Sequence, residues 1–296
     1  MTLHRQQVFR GAFFAFILTF VSAGSAAASK HVSGSVSVAV IVLIQYLICC
    51  IGMIPWLTQC SLDNFKTQRW LEHLIRGITG WACFYTYYAA LDHIPLVDAT
   101  LLRTSSPLYV PIIAWLWTGT RIPAIRWIPI LLGLAGIYAI LQPSGVTISW
   151  WHLVGMVSGI TLAGSMVATR VLSSTEDTSL ILFYYFAISL LCSLPAGITQ
   201  WQPIPLSAWS YLIGIGLSIY SAMWLYTKSL TYARASVIAP IGYFAVVNSG
   251  FLGWLLWDHT PELKTATGIV LVISAGLLAI YIGAREERKA LLASSQ

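Results

Sequence analysis

Long apolar runs dominate this 296-residue chain, and only short polar segments separate them. Ten of the runs are about 17–25 residues long, the length that a helix needs to cross the hydrocarbon core of a bilayer. Helices are expected because backbone groups in lipid must be satisfied within the segment, and because these runs lack the alternation of β-barrel strands. The sequence therefore predicts an all-α membrane protein with ten transmembrane helices, at 10–28, 37–58, 71–91, 98–118, 126–142, 151–171, 178–199, 208–230, 235–257 and 265–283.

The composition fits a chain that is solvated mainly by lipid. Charged residues make up only 9% of it and hydrophobic residues 57%, whereas about 25% of an average soluble domain is charged. This excludes a soluble enzyme. The net charge of +6 is spread between apolar runs, so nucleic acid is not an expected partner. Because the five cysteines form no C-x-x-C pair, the six histidines lack metal-ligand spacing and no Walker P-loop occurs, we expect neither metal nor cofactor.

The first run also has features of a secretory signal peptide. Arg5 and Arg10 precede an apolar stretch that ends in the Ala-rich segment 23–27. We expect the run to be retained as a helix, because the repeat described below needs it.

Basic residues lie mainly on one predicted side of the membrane, as in cytoplasmic loops. With the N-terminus inside, only Lys30 and Lys264 face outward, and Arg76 and Arg103 lie within spans. The cytoplasmic residues are Arg5, Arg10, Lys66, Arg69, Arg121, Arg126, Arg170, Lys228, Arg234, Arg285, Arg288 and Lys289. Both termini are therefore predicted in the cytoplasm, with the chain in the plasma membrane, which is the inner membrane of a bacterium.

The two halves of the chain are similar in layout. Residues 90–129 can be laid over 229–268 at an offset of 139, and 25–30 over 165–170 at an offset of 140. Each half has five spans, and an odd number turns the second half upside down relative to the first. The predicted fold is thus two inverted five-helix repeats, at 1–143 and 144–284, followed by a cytoplasmic tail at 285–296.

Four stretches carry a family resemblance through their order and spacing. They are 22–30, which ends the first span in Lys30; 89–95 running into 101–107; the Gly-rich 133–137; and 229–233 with Ala239-Pro240, Gly268 and Ala275-Gly276. Together they resemble the drug/metabolite transporter superfamily, and specifically its EamA-type ten-helix proteins. Arg76-Gly77 and the passage into the fourth span are most similar to the S-adenosylmethionine uptake carriers. The chain departs from the family at Thr120 and His259, where a Glu is common.

The resemblance implies a secondary transporter of a small organic metabolite that works by alternating access, and no enzyme activity. The substrate is either amino-acid-like or S-adenosylmethionine-like. An efflux carrier for amino acids or drugs is the first alternative, and a non-transporting binding or sensor protein is the second. The expected partners are the small-molecule substrate and the lipid bilayer, and a homodimer is left open. Coupling is open between exchange, facilitated transport and a proton carried by a boundary residue such as Asp98.

Arg103 is the most informative candidate for substrate binding. It lies about two turns inside the fourth span, and an Arg at a helix centre costs about 2.5–3.5 kcal/mol on insertion scales. One interpretation is that it contacts an anionic group of the substrate. Another is that it switches partners between states. The alternatives without a binding role are an outward extension to the membrane interface and a fixed structural pair, with the Asp92 loop or with Asp98, although the five-residue spacing puts Asp98 and Arg103 on different faces.

Two aromatic faces are further candidates, because they superpose in the repeat. Trp81, Tyr85 and Tyr88 share one face of the third span, and Tyr220 and Trp224 share one face of the eighth. They either wall a cavity, where they would stack on a flat or cationic ligand, or pack against lipid and neighbouring helices.

Polar side chains deep in other spans complete the predicted site. Gln45, Tyr243 and Asn248 need partners in hydrocarbon, and either bind substrate or bridge helices. Ser106 shares a face with Arg103. Lys30 either clamps a gate or extends outward to the lipid headgroups, and the second is expected. The Gly155-x-x-x-Gly159 motif predicts close helix packing rather than a dimer interface.

Overall fold

The structure is a computed structural model that describes residues 2–60, 65–119, 124–141, 149–173, 175–232, 241–259 and 263–294. Its helices are α1 (Thr2–Val32), α2 (Val38–Gly52), α3 (Ile54–Leu57), α4 (Trp70–Leu91), α5 (Leu96–Thr104), α6 (Ser106–Thr118), α7 (Trp127–Leu141), α8 (Trp150–Leu172), α9 (Thr178–Thr199), α10 (Leu206–Tyr232), α11 (Phe244–Trp257) and α12 (Leu263–Ser294). A short 3₁₀ turn, Ala124–Arg126, precedes α7.

Every predicted span coincides with helix in the described residues. The second span is α2 followed by α3, and the fourth is α5 followed by α6. Five of the described helices are long and apolar enough to cross a bilayer by length and composition, and the apolar parts of α11 and α12 are shorter. The predicted all-α architecture is confirmed.

The fourth span is interrupted where α5 gives way to α6. Ser105 lies between the two helices, and Pro107 follows within the first turn of α6. A proline has no amide hydrogen to donate to the preceding turn, so the interruption is expected from its position. The same span ends at Gly119, whose φ of 69° is a left-handed conformation that glycine adopts without strain.

The main helix contacts join the two halves of the chain. Helix α4 of the first half packs along α8 of the second half. The repeat partner of α4 is α10, which packs along α1 of the first half. The pairs α2 with α9, α7 with α12, and α5 with α11 each join a helix to its own repeat partner. Such a set of contacts is what a pseudo-two-fold axis between two five-helix halves produces.

Individual contacts repeat as well. A Cβ on Gly77 would lie 2.5 Å from the side chain of Ile188, and a Cβ on Gly216 would lie 2.7 Å from that of Ile48. The Gly77 carbonyl accepts a hydrogen bond from Ser189 at 3.1 Å, and the Gly216 carbonyl accepts one from the Cys49 thiol at 3.7 Å. These paired residues are 139 or 140 positions apart, so the sequence offset corresponds to a repeat in space.

Tyr46 of α2 and Tyr185 of α9 meet where the two halves cross. They are 139 residues apart, their hydroxyl oxygens are 3.1 Å apart, and their rings meet edge to face at 5.8 Å. Both side chains are buried. Because each residue is the repeat partner of the other, this tyrosine pair lies at the pseudo-two-fold axis.

The Gly155-x-x-x-Gly159 motif packs α8 against α5. A Cβ on Gly159 would lie 2.4 Å from the carbonyl oxygen of Leu102, and one on Gly155 would lie 2.9 Å from the Leu102 side chain. The predicted packing role is confirmed. Elsewhere many large apolar side chains stay exposed, among them Phe9, Leu116 and Leu206, as expected of a surface that faces lipid.

Candidate functional site

A cavity of about 480 Å³ opens at the end of the bundle where α1, α4 and α11 end. This volume is in the range of sites for small organic ligands. The lining is rich in basic and aromatic side chains, and consists of Lys30, His31, Ser33, Gly34, Asp92, His93, Ile94, Pro95, Trp257 and His259. The cavity is called here the outer cavity, after its predicted side of the membrane.

Lys30 turns into the protein at the floor of the outer cavity. Its Nζ donates hydrogen bonds to the carbonyl oxygens of Leu91 at 2.5 Å and Ile94 at 2.8 Å, and lies 5.9 Å from the centre of the Trp257 ring. These carbonyls belong to the end of α4, where a cation is favourable. The prediction that Lys30 extends to the headgroups is therefore wrong, because the end of α4 offers nearer acceptors.

Asp98 lies just below, in the first turn of α5. Its side chain is 7% exposed, and its Oδ1 has no hydrogen-bond partner among the described residues. The positive charge that acts on it is that of Lys30. A buried carboxylate with an unused acceptor is thus present next to the outer cavity.

Arg103 is held by aromatic faces and not by an acid. Its guanidinium carbon lies 4.7 Å from the ring centre of Phe84 and 4.9 Å from that of Tyr87. Its Nε is buried without a hydrogen-bond partner, and no carboxylate of the described residues forms an ion pair with it. The predicted alternative of a fixed pair with Asp98 is therefore not what these residues form.

Several buried polar atoms of the first half have no hydrogen-bond partner among the described residues. Gln45 Oε1 accepts a hydrogen bond from the hydroxyl of Tyr88 at 2.7 Å. The Nε2 atom of the same amide has no partner among the described residues. Buried polar groups nearly always find partners in folded proteins, so a cluster of unused ones deserves an explanation. Among the described residues of the first half, the unpartnered buried atoms are Ser25 Oγ, Ser29 Oγ, Gln45 Nε2, His73 Nδ1 and Nε2, Arg76 Nε, Trp81 Nε1, Asp98 Oδ1, Arg103 Nε and Tyr109 OH.

A hydroxyl chain that sequence reasoning did not single out runs beside Arg103. The hydroxyl of Tyr87 lies 2.8 Å from Thr100 Oγ1, which donates to Ser249 Oγ at 3.0 Å. The chain links α4, α5 and α11, and so crosses from one half to the other. Ser and Thr are too common in apolar spans for these positions to be recognised without the fold.

The two predicted aromatic faces have different surroundings. Trp81 and Tyr85 are half-buried and contact each other, with ring centres 5.5 Å apart. Tyr220 and Trp224 line a second cavity of about 230 Å³ where α2 ends and α9 begins, at the opposite end of the bundle from the outer cavity. We call it the inner cavity. The Trp224 ring also meets Phe14 of α1 at 6.1 Å.

The remaining predicted residues join helices. Asn248 donates from Nδ2 to Thr19 Oγ1 at 2.9 Å, which bridges α11 and α1. The hydroxyl of Ser106 donates to the sulfur of Met166 at 3.7 Å, between α6 and α8. Tyr243 is buried against α12, and its hydroxyl has no partner among the described residues. Of the ten predicted residues, the structure brings Gln45 and Tyr88 together by a hydrogen bond.

No three His, Cys, Asp or Glu side chains of the described residues form a group that would hold a metal ion.

Comparison with protein families gives a match over both halves. The model of the EamA-like transporter family fits residues 9–142 and again residues 149–281. The chain belongs to the EamA-like transporter family. The predicted membrane fold of two five-helix repeats is therefore confirmed, and so is the expectation that the protein is a transporter and not an enzyme. The repeat bounds at 143 and 284 stay predictions, and the first lies outside the described residues.

Curated relatives of this EamA-like transporter carry different small molecules. It is 31% identical to the pseudopaline exporter CntI of Pseudomonas aeruginosa over 68% of this chain and 72% of that protein. It is 24% identical to the S-adenosylmethionine uptake transporter of Rickettsia bellii, over 93% of this chain and 94% of the other. It is 24% identical to the riboflavin transporter of Vibrio cholerae, over 86% and 87%.

One solved crystal structure shares the fold of the EamA-like transporter. Its TM-score is 0.60 and its sequence identity 17%, over 96% of this chain and 99% of that one. The relatives support transport of a small metabolite by a multi-pass membrane protein. The inner membrane, the cytoplasmic termini and the homodimer stay predictions.

Proposed function

We propose that this protein is a secondary transporter that moves a small organic metabolite with an anionic group across the bacterial inner membrane by alternating access. The observation that carries the proposal is Arg103, a half-buried cation in a membrane span that lies against the rings of Phe84 and Tyr87 and has no acidic partner among the described residues. A substrate carboxylate or phosphate would supply the missing charge.

The repeat supports the transport mechanism. Two cavities lie at opposite ends of the bundle, with the buried tyrosine pair between them. Two halves with the same packing have two equivalent arrangements, one open to each end, and a site near the axis would be reached from either. This is the geometry that alternating access requires.

The aromatic side chains near Arg103 define the second part of the substrate. Phe84, Tyr87 and Tyr88 of α4 offer ring surface beside the guanidinium, and Trp81 and Tyr85 follow along the same helix. We expect a zwitterion or anion that carries a flat ring or an apolar body. An amino-acid-like or S-adenosylmethionine-like substrate meets this description.

Export is the second candidate for the direction of transport. It is favoured by one specific observation, the 31% identity to a protein named as an exporter. Uptake is favoured by the relatives named as S-adenosylmethionine uptake transporters, which match nearly the whole chain at 22–24% identity. The binding site is the same in both cases.

The test is transport into proteoliposomes that contain the purified protein. Radiolabelled S-adenosylmethionine and riboflavin are the first probes, and a thermal-shift screen of amino acids and nucleosides supplies others. We expect Arg103→Ala to insert normally and to lose transport by about thirtyfold or more, because leaving a buried charge unpaired costs about 2–5 kcal/mol. Arg103→Lys keeps the charge but loses the planar guanidinium, and is expected to recover only part of the rate.

Arg69→Gln is the matched control. Arg69 lies at the start of α4, where its guanidinium donates to the Val171 carbonyl at 3.4 Å, outside the proposed site. The Arg69→Gln variant should transport the substrate at the wild-type rate. Transport by Arg103→Ala at the wild-type rate would refute the assignment of the site, and a wild-type protein that moves none of the screened metabolites would refute the function.

A further inference from the structure

A second arginine, Arg76, is buried in the half of α4 that leads to the inner cavity. Its side chain is 9% exposed. It donates one hydrogen bond, from Nη1 to Ser165 Oγ of α8, and its guanidinium carbon lies 3.9 Å from the centre of the Tyr185 ring. Its Nε has no partner, and no carboxylate of the described residues forms an ion pair with it. At least the Nε donor of this five-donor group is thus unused.

The packing around Arg76 leaves room for it. A Cβ on Gly80 would lie 2.9 Å from Arg76 Nη1 and 2.4 Å from Cε2 of Tyr185. Any other residue at position 80 would displace both the guanidinium and the ring beneath it. Because Gly80 has no side chain, the Arg76 guanidinium can lie beside it, about one turn further along α4 than the Cα of Arg76.

Aromatic rings connect Arg76 to Arg103. Arg76 lies on Tyr185, which meets Tyr46 at 5.8 Å; Tyr46 meets Phe84 at 6.4 Å; and Arg103 lies on Phe84. The tyrosine pair at the pseudo-two-fold axis is therefore the midpoint between two cations. Gly80, beside the Arg76 guanidinium, and Phe84, beside that of Arg103, are one turn apart on α4, a rise of about 6 Å.

The repeat relates the surroundings of the two arginines. Ser165, which binds Arg76, superposes at the offset of 140 on Ser25, whose hydroxyl is among the unused atoms of the first half. Tyr185, beneath Arg76, superposes on Tyr46 at the offset of 139. Each side of the axis thus has a serine, a tyrosine of the central pair and one arginine without an acid.

We propose that Arg76 forms a second anion-binding position, on the inner side of the tyrosine pair, that receives the anionic group of the substrate when the transporter opens toward the inner cavity. The inference rests on the proposed function and deepens it. The carboxylate or phosphate of the substrate leaves Arg103 and binds Arg76 as the halves rearrange. On each side of the axis the substrate anion thus meets an arginine that has no carboxylate partner among the described residues.

The first test measures access and needs no substrate. Proteoliposomes of known orientation are treated from one face with 4-sulfophenylglyoxal, a membrane-impermeant arginine reagent that is itself an anion, and modification is read by mass spectrometry. From the face with the inner cavity we expect Arg76 to react at least five times faster than Arg103, and from the face with the outer cavity the reverse. An Arg76 that stays unmodified from both faces, or equal rates from both, would overturn the proposal.

The second test separates this proposal from the general function. With S-adenosylmethionine or riboflavin as probe, Arg76→Gln should raise the half-saturation concentration at the inner face tenfold or more and leave that at the outer face unchanged. Arg76→Lys should restore part of it, and Arg69→Gln should match the wild type. An equal change at both faces indicates a structural role and refutes the second position. Wild-type protein that carries neither probe counts against the function, while the access measurement still decides the position of Arg76.

Discussion

Tyr243 fits against α12 only because its neighbour has no side chain. A Cβ on Gly276 would lie 1.4 Å from the Tyr243 hydroxyl and 2.2 Å from the ring carbon that bears it. The tyrosine must therefore move if any atom is added. At the residue scale this contact is the clearest case in which the structure explains a glycine within a span.

We predict that Gly276→Ala destabilises the protein through this clash. Overpacking of a filled site costs about 1–3 kcal/mol, which should appear as a lower thermal midpoint of the purified protein in detergent. Gly24→Ala is the matched control, because nothing lies within 4 Å of the added carbon. In a Tyr243→Ala background the loss should disappear. If Gly276→Ala and Gly24→Ala unfold alike, the contact is absent from the protein in solution.

The residue scale is also where sequence reasoning was weakest. The place of Arg103 in an apolar span predicted that it is shielded from water, and the structure makes it half-buried against the rings of Phe84 and Tyr87. The inward turn of Lys30 did not follow, because it depends on where α4 ends in space. The hydroxyl chain through Thr100 depends in the same way on helices that are far apart in sequence.

At the scale of elements, the approach of α8 to α5 positions Arg103. The nearest atom to a Cβ on Gly159 would be the backbone oxygen of Leu102, at 2.4 Å, and Ser105 Oγ would follow at 3.2 Å. A backbone atom cannot rotate away as a side chain can. Any residue larger than glycine therefore pushes α5 outward, and Arg103 lies on that helix one residue after Leu102.

We predict that Gly159→Ala lowers transport at least fivefold while the protein still folds and inserts. Overpacking at this contact is expected to lower stability by roughly 1–3 kcal/mol. Gly214→Ala on α10 is the same change with nothing within 4 Å, and it should leave both rate and stability as in the wild type. Rates are compared in proteoliposomes at equal protein content. Wild-type transport by Gly159→Ala would contradict a role for this contact in the site.

The elements themselves were largely predictable, and their breaks were not. Hydrophobic length gave ten spans, and each coincides with helix in the described residues. The division of the fourth span at Ser105 is consistent with Pro107, yet Pro111 lies inside α6 without a break. Proline alone does not decide between a kink and an interruption, because neighbouring helices can satisfy the freed carbonyl.

At the scale of the whole molecule, the inverted repeat is the feature that could be predicted best from the sequence. The similar layout of the two halves and a few identities at an offset of 139 predicted the inverted repeat, and the packing of α4 on α8 and of α10 on α1 is consistent with it. The tyrosine pair at the axis was hidden, because nothing in the sequence distinguishes Tyr46 and Tyr185 from other buried aromatic residues. Their position needs the crossing of α2 and α9.

The energy source of the transport cycle is the remaining property of the whole molecule, and Asp98 is the residue through which we expect it to be tested. Among the described residues it is the only Asp or Glu that is buried, and an unused oxygen and the charge of Lys30 accompany it. Such a carboxylate can take up a proton when the outer cavity is open and release it after the halves rearrange. The cycle would then be driven by a pH gradient.

We therefore predict that Asp98→Asn abolishes the accumulation of substrate under an imposed pH gradient, because its amide cannot exchange a proton. Exchange of internal for external substrate should continue at a rate close to that of the wild type. Asp92→Asn is the matched control, since Asp92 is exposed, and among the described residues its carboxylate accepts a hydrogen bond from the Ser33 hydroxyl at 2.7 Å and lies 3.8 Å from His93 Nδ1. Both rates are measured with the same loaded liposomes. If Asp98→Asn accumulates substrate as the wild type does, protons do not move through this residue, and exchange alone accounts for transport.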